Sequence, residues 1–256
     1  MHCTAYSCQV ASTKTAATKA PEAERTRLSR SAVVDRALRL ADAEGIDALT
    51  IRRLATVLGV TPMALYWHFR NKEELIAGVA DRIWSEVRSE VDPHANWTNQ
   101  LRSLLESLIS VLRAHPSASQ LLLGADKLGP ACRQVTEVAL GVLRGVGFDA
   151  VHAAEIVKSA LWTGLMLVMS EPGFNPGMAE DEHVELMRRK QIEIASLPPD
   201  RYPRLVEVAL PMTACGPDAL EFHYRFGTDF FIAGVQAMAP SGGSRGVVPP
   251  GQHGGP

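Results

Sequence analysis

Residues 49–76 read LTIRRLATVLGVTPMALYWHFRNKEELI, and this stretch narrows the possible fold more than any other part of the chain. Leu54, Ala55 and Leu58 recur at helical spacing on one face, and Thr50 stands where a hydroxyl caps a first turn. Ala55 is small where a second helix must cross closely. Gly59 ends the helix, because glycine adopts a left-handed backbone without steric cost. Val60 is apolar and suited to plug the turn. Thr61-Pro62 restarts a helix with a hydroxyl cap and then proline, at a position whose amide would be unpaired anyway. In the short helix that follows, Leu65 and Phe69 are expected to face inward, and Met63, Ala64, Tyr66, Trp67 and His68 outward or sideways. Asn71 and Glu74 resemble a capping box for the next helix, and Glu73 and Glu74 suit its positive end.

Upstream, Ser29 to Glu44 supplies a third helix. Val33, Val34, Ala37, Leu38 and Ala41 recur every three or four residues, and Gly45 stops it. Packed across the other two, this helix completes a small three-helix core. Two helices joined by a glycine turn form a helix-turn-helix, a unit that sets a helix end into the major groove of DNA. The same geometry also occurs in packed elements without a ligand. Tyr66 and Trp67 argue for a partner, since exposing both on one short helix is costly. Charge agrees with that reading. The 26 Lys plus Arg against 28 Asp plus Glu leave the whole chain at −2. Residues 25–72, however, hold nine basic residues (Arg25, Arg27, Arg30, Arg36, Arg39, Arg52, Arg53, Arg70, Lys72) and four acidic ones (Asp35, Asp42, Glu44, Asp47), a net of +5. Residues 73–256 hold 15 basic against 22 acidic. A basic module on an acidic body is the distribution that phosphate contact at one place requires.

Residues 28–88 resemble the TetR family of transcriptional regulators. The resemblance rests on Gly45 with Leu49-Thr50, on Leu54-Ala55 through Gly59-Val60, and on the run Leu65-Tyr66-Trp67-His68-Phe69-Arg70-Asn71-Lys72-Glu73-Glu74-Leu75. That run is especially similar to the tetracycline-repressor branch. The resemblance implies DNA contacts at Thr50, Arg52, Thr61, Pro62, Met63, Ala64, Tyr66, Trp67, His68 and Lys72. Tyr66, His68 and Lys72 would hold phosphates and set register, and the planar fork of Arg52 matches the two acceptors of guanine. Arg53 reads equally as a phosphate contact or a solvated helix residue. Pro62, Met63 and Ala64 lack hydrogen-bonding side chains where that branch carries a glutamine and a threonine. Apolar contacts to thymine methyls, and a different operator sequence, are expected there.

At 256 residues and 46% hydrophobic, the chain exceeds one small domain and permits a sizeable core. Its ends are expected to lie outside that core. Residues 1–27, rich in Ala, Thr, Ser and Lys, and 240–256, rich in Gly and Pro, read as disordered tails. The first tail suits a solvated segment or a basic arm, and it has no apolar stretch of the signal-peptide kind. No unbroken apolar run reaches the roughly 18 to 20 residues of a membrane span; Ala160 to Met169 comes nearest. Cys3, Cys8, Cys132 and Cys215 lack the spacing of a metal site or disulfide framework. A cytoplasmic protein without metal, cofactor or membrane contact is expected.

From about Asp92 the pattern stays helical but loses the DNA signals. Lys72 to Val91 reads as one helix joining the two parts. Leu101, Leu104, Leu105, Leu108 and Leu112 form a stripe on the next helix, which ends at His115-Pro116. Further helices are expected at about 117–123, 130–145, 151–171, 180–196 and 218–239, with breaks at Pro172–Met178 and Leu197–Pro203. Glu180-Asp181-Glu182-His183 reads as a solvated helix start. The last helix carries two apolar faces, one of Phe222, Phe226, Phe230, Ala233 and Ala237, the other of Leu220, Gly227, Phe231, Gly234 and Met238. A surface helix needs only one. Two faces imply burial both within the chain and against a second copy, and 151–169 has the same character; a fully buried monomer core is the alternative. The expected fold is all-α: a three-helix helix-turn-helix domain at 28–88, with the motif at 50–69, and a larger effector-binding and dimerisation domain at 92–239.

Trp97, His115-Pro116, Gly147-Phe148, Gly164 and Arg225-Phe226-Gly227 resemble the ligand-sensing domain of the same branch. That resemblance implies a homodimer built on a four-helix interface and double-stranded DNA with a palindromic operator as partner. It also implies a small-molecule effector that tilts the linker helix and lowers DNA affinity by linkage. Candidate pocket residues are Trp84, Leu105, Leu108, His115, Leu122, Trp162, Met166, Met169 and Phe174. Core packing is the simpler reading of each, and His115 reads more simply as a helix-end histidine. The branch surrounds its drug and metal with two histidines; Val87 and Leu122 stand at the matching places, so a magnesium-tetracycline site is not expected. An enzyme is the rival class, but the chain has no nucleotide-binding glycine loop, serine elbow or zinc-type pair. The expectation is therefore a ligand-released dimeric repressor, with an effector-independent regulator or an activator as alternatives.

Overall fold

The structure, a computed structural model, describes residues 29–116, 118–124, 128–171 and 179–240. Every regular element among them is helical. Helix α1 (Arg30–Glu44) starts on Ser29, whose hydroxyl accepts from the Ala32 amide, and stops at Gly45 with φ 85°. After one 3-10 turn at Ile46–Ala48, Thr50 caps α2 (Ile51–Leu58) by accepting from the Arg53 amide. Gly59 turns the chain with φ 66° and ψ 31°. The Gly59 amide donates to the Thr56 carbonyl at 3.1 Å and the Val60 amide to the Ala55 carbonyl at 3.0 Å. This Schellman arrangement satisfies carbonyls that the helix end would otherwise orphan. Thr61 caps α3 (Pro62–Tyr66), which has proline in its first turn, and Asn71 caps α4 (Lys72–Trp84) by accepting from the Glu74 amide. The expected capping box is displaced by one residue, because the Glu74 carboxylate accepts from the Arg70 amide at 2.7 Å.

Val33, Ala37, Ala41, Leu49, Leu54, Leu65, Phe69, Leu75 and Val79 close the core of these four helices, each almost wholly inaccessible. Helices α1 and α4 cross at Gly78, where an added Cβ would stand 3.1 Å from Val34 Cγ2.

The joining helix is shorter than its sequence suggests. It ends at Trp84 rather than Val91, and residues 85–91 leave the helical path. The cause lies in what that segment meets. The Ser85 hydroxyl donates to the Arg82 carbonyl at 2.7 Å, and the Arg88 amide donates to Ser107 of the next helix at 2.8 Å. A backbone amide pulled onto a neighbouring helix cannot also bond four residues back.

Asn96 caps α5 (Trp97–Ala114), and its expected leucine stripe is buried throughout. A 3-10 turn at Ala118–Gln120 leads into α6 (Leu121–Gly124). Then come α7 (Pro130–Val146), α8 (Ala150–Met169) and α9 (Glu180–Ala195). The short α10 (Pro203–Glu207) and α11 (Ala209–Met212) precede α12 (Pro217–Ala237). Pattern reading missed α10 and α11, whose prolines look like breakers but take first-turn and terminal positions that a helix tolerates. The expected break at Pro172–Met178, the tail at 1–27 and all of the tail at 240–256 except Pro240 lie outside the described residues.

Helices α5, α7, α8 and α12 pack on one another, while α9 lies against α10 and α11. That cover explains a second difference: His183, expected in solvent at the start of α9, is buried. Helix α8 is also long and apolar enough by length and composition to cross a membrane, although Glu155 and Lys158 interrupt its apolar runs. In this fold Ala153, Ile156, Gly164, Leu165 and Val168 of α8 are buried.

Candidate DNA interface and sensing domain

Helix α3 is little more than a single turn, and the two residues that point inward from it and from the segment just past it, Leu65 and Phe69, are 0% and 1% exposed. Its other side is open: Met63 is 68% exposed and Trp67 86%, with Tyr66 and Pro62 also exposed. Ala64 and His68 lie at the sides, half-buried, and Thr61 and Lys72 flank the turn in solvent. Thr50 and Arg52 are exposed at the start of α2. All ten expected contact residues thus lie within residues 50–72, on α2, α3, the residues that flank them and the start of α4, and none of them is in the core. Thr50 and Thr61 also serve as caps, so part of each hydroxyl is already engaged with backbone amides.

The structure separates the two arginines of α2. Arg53 is held by Glu44 through one edge of its guanidinium, Nε and Nη2 donating at 3.0 Å and 2.5 Å. This contact holds the Glu44 carboxyl below its ordinary value, the Arg53 hydrogen bond being the main cause. Arg52 has no acidic partner among the described residues.

Arg30 and Glu74 fix the end of α3, a contact that sequence reasoning did not find, since it read Arg30 only as part of the basic module and Glu74 as a capping-box residue. Arg30, at the start of α1, donates to the His68 carbonyl at 2.6 Å and to Glu74 at 2.8 Å. Its guanidinium also lies 4.4 Å from the centroid of the Phe69 ring. The contacts span about forty residues of chain, so no local spacing could have revealed them.

The helix-turn-helix part meets the larger domain through a charged cluster. His115 closes α5, with Nδ1 2.8 Å from Asp42 of α1 and Nε2 3.1 Å from Glu86, just beyond α4. Both partners are acceptors, so both ring nitrogens carry protons. Burial alone would push the imidazole down, but hydrogen bonds and charge from Asp42 and Glu86 outweigh it and hold the pKa above the ordinary value. Arg82 ties the same cluster together, meeting Asp35 at 2.8 Å and Glu86 at 2.7 Å. A second tie runs from α4 to α7. Asp81 accepts from the Ala131 amide at 2.9 Å, capping a helix whose own cap, Gly129, has no side chain to do so.

The candidate effector residues fall into three groups. Leu105, Leu108 and Leu122 are buried, and Leu108 and Leu122 share one continuous core with the helix-turn-helix part, against which Trp84 packs. His115 belongs to the charged cluster. Trp162, Met166 and Met169 instead form an exposed stripe on α8, at 53%, 51% and 44%. Phe174 lies outside the described residues. A groove of 290 Å³ opens beside Trp84, between residues 85–90 and Ala131, Gln134 and Val135 of α7. Val87 and Leu122 are buried and apolar and offer a metal no donor. Among the described residues, no cluster of three or more His, Cys, Asp or Glu is placed to hold a metal ion.

Helices α8 and α12 leave a broad apolar face uncovered. Phe222, Phe226 and Phe230 are 57%, 58% and 74% exposed, the last two rings stacked at 6.3 Å between centroids. The two helices approach closely at Gly227, where an added Cβ would run into the Leu167 side chain. His223 Nε2 donates to the Leu167 carbonyl at 2.8 Å.

Comparison with known proteins agrees with this architecture. Residues 33–79 match the family of bacterial regulatory proteins, tetR family, and residues 91–239 match the tetracyclin repressor-like, C-terminal domain. The class E tetracycline repressor protein of Escherichia coli is 30% identical over 214 residues, 83% of this chain and 92% of that protein. The HTH-type transcriptional repressor DrrR1 of Streptomyces coeruleorubidus is 27% identical over 82% of this chain and 78% of its own. The TetR family protein ActR of Streptomyces coelicolor, solved in complex with actinorhodin, superposes with a TM-score of 0.72 at 29% identity, covering 84% of this chain and 99% of ActR. With both parts of the chain matched, the protein belongs to the TetR family of bacterial regulatory proteins.

Proposed function

We propose that this protein is a dimeric transcriptional repressor. It binds a palindromic operator through α2, α3 and the start of α4, and a small-molecule effector held by residues 92–239 releases it. The observation that carries the reading is the one-sided exposure of α3: Leu65 and Phe69 anchor it, while Met63, Tyr66 and Trp67 face solvent, uncovered by any of the described residues. In this account Tyr66, His68 and Lys72 hold phosphates, Arg52 reads a guanine, and Pro62, Met63 and Ala64 meet base edges through apolar contact. Thr50, Thr61 and Trp67 border the same surface.

The open face of α8 and α12 supplies the dimer contact, with the phenylalanine stripe meeting its copy. A dimer places two recognition helices about one DNA turn apart, roughly 34 Å, which is why the operator should be a palindrome. Effector response follows from the shared core. A ligand entering beside Trp84, Leu108 and Leu122 displaces side chains that also pack against α4, and α4 carries Asp81, Arg82 and the cap of α7. Such a ligand favours whichever α4 position accommodates it, and DNA affinity falls by the same coupling free energy. ActR's complex with actinorhodin makes that compound the effector to try first. A cytoplasmic location follows from the proposed target.

The test is selection of bound sequences from a random DNA pool with the full-length protein. An enriched palindrome bound by two chains, and its release by a member of a small-molecule panel that includes actinorhodin, is the expected result. An enriched site that no compound releases would favour the effector-independent alternative. No enrichment at all would overturn the regulator reading.

A further inference from the structure

Helix α3 has five residues, too few to hold its own shape or direction in solution. Its pose must come from outside. Leu65 and Phe69 plug it into the core, but two apolar anchors near one axis leave rotation about that axis loosely set. The third constraint is polar and sits just past the end of α3. Arg30 donates to the His68 carbonyl at 2.6 Å and to the Glu74 carboxylate at 2.8 Å, with its guanidinium stacked on Phe69. Glu74 in turn accepts from the Arg70 amide at 2.7 Å, and the Glu74 amide donates to Asn71 at 2.9 Å. The backbone from His68 to Asn71 is thereby tied to the first turn of α1 and the first turn of α4 together.

We propose that Arg30 and Glu74 form a positioning pair that sets the orientation of the recognition helix, and so determines operator specificity without either residue reading a base. The inference rests on the DNA-binding function proposed above. A half-exposed ion pair contributes little to stability. What this pair fixes is direction, through one charge-assisted fork that reaches a carbonyl and a carboxylate at once.

The proposal makes a prediction opposite in sign to simple electrostatics. Glu74 is an acidic residue beside a surface meant for phosphates, so neutralising it should strengthen DNA binding if it is only a neighbouring charge. If Glu74 positions α3, Glu74→Gln must weaken binding to the operator. The experiment is an anisotropy titration of wild type, Glu74→Gln, Arg30→Lys and the double variant. Each is titrated against the selected operator and a scrambled duplex, at several salt concentrations, with melting temperatures recorded.

The expected result for Glu74→Gln is an operator affinity lower by about tenfold, the scale of one lost charge-assisted bond, and an unchanged or higher affinity for the scrambled duplex. Arg30→Lys, which keeps the charge but not the fork, should lose operator affinity in the same direction with an unchanged salt slope. The double variant should be no weaker than the worse single one, because both changes break one unit. Operator binding by Glu74→Gln equal to or tighter than wild type would overturn the pairing. Equal losses of affinity for the operator and the scrambled duplex in Arg30→Lys, with Glu74→Gln neutral, would instead make Arg30 a phosphate contact. Wild type that does not distinguish the operator from the scrambled duplex would overturn the DNA-binding reading itself, which is a separate failure.

Discussion

On α2, Arg53 donates from Nε and Nη2 to the two carboxylate oxygens of Glu44, while the neighbouring Arg52 stays in solvent. Two side chains of identical chemistry are thus given different work by one carboxylate nine residues upstream. Arg52→Ala should cost about 1–3 kcal/mol of discrimination at a single operator position. Arg53→Ala should leave that discrimination intact. Titration against operators substituted one base pair at a time separates the two outcomes, and equal losses would return Arg53 to the interface. The Glu44 carboxyl is held below its ordinary value by Arg53. Its contribution is therefore present above the normal carboxylate range and is lost as pH falls through the lowered folded value.

The individual turns of the helix-turn-helix follow from local chemistry, and they were the most legible part of the molecule. Thr50, Thr61 and Asn71 each cap the helix their position announced. Gly59 takes the left-handed backbone that the turn requires. Nothing lies within 4 Å of where its Cβ would be, so Gly59→Ala should destabilise by backbone strain alone, about 1 kcal/mol. Equilibrium urea unfolding measures that value, and an unchanged midpoint would mean the turn can relax. Legibility failed where contact between distant segments decides. The end of α4 at Trp84 depends on Ser107 capturing the Arg88 amide, and the burial of His183 goes with the packing of α10 and α11 on α9. Neither partner is within helical reach of the residue it controls. The candidate pocket split for the same reason: one periodicity cannot tell an apolar stripe bound for the core, such as Leu105 and Leu108, from one left open, such as Trp162 and Met166.

At the scale of the whole molecule, the DNA-facing helices and the larger domain are joined by one continuous core and by the His115 cluster. With its pKa raised in the folded protein, the imidazolium contributes stability fully below its ordinary value of about 6.5. That contribution is lost as pH rises through the raised folded value. Melting temperature should therefore fall with rising pH across that window in wild type and fall less in His115→Gln; parallel profiles would deny His115 this role. The open face of α8 and α12 makes its own prediction. Replacing Phe226 and Phe230 by Glu should give monomers by sedimentation without loss of helix content, since both rings are exposed in the single chain, and should abolish operator binding. Persisting dimers would place the contact elsewhere. The claim beneath all of these is that the open side of α3 meets DNA. Titrating the selected operator with wild type and Tyr66→Ala, at two salt concentrations, tests it most directly. Salt-sensitive binding of two chains per site, weakened about tenfold or more in Tyr66→Ala at unchanged melting temperature, is the predicted result. Undiminished operator binding by Tyr66→Ala would contradict it.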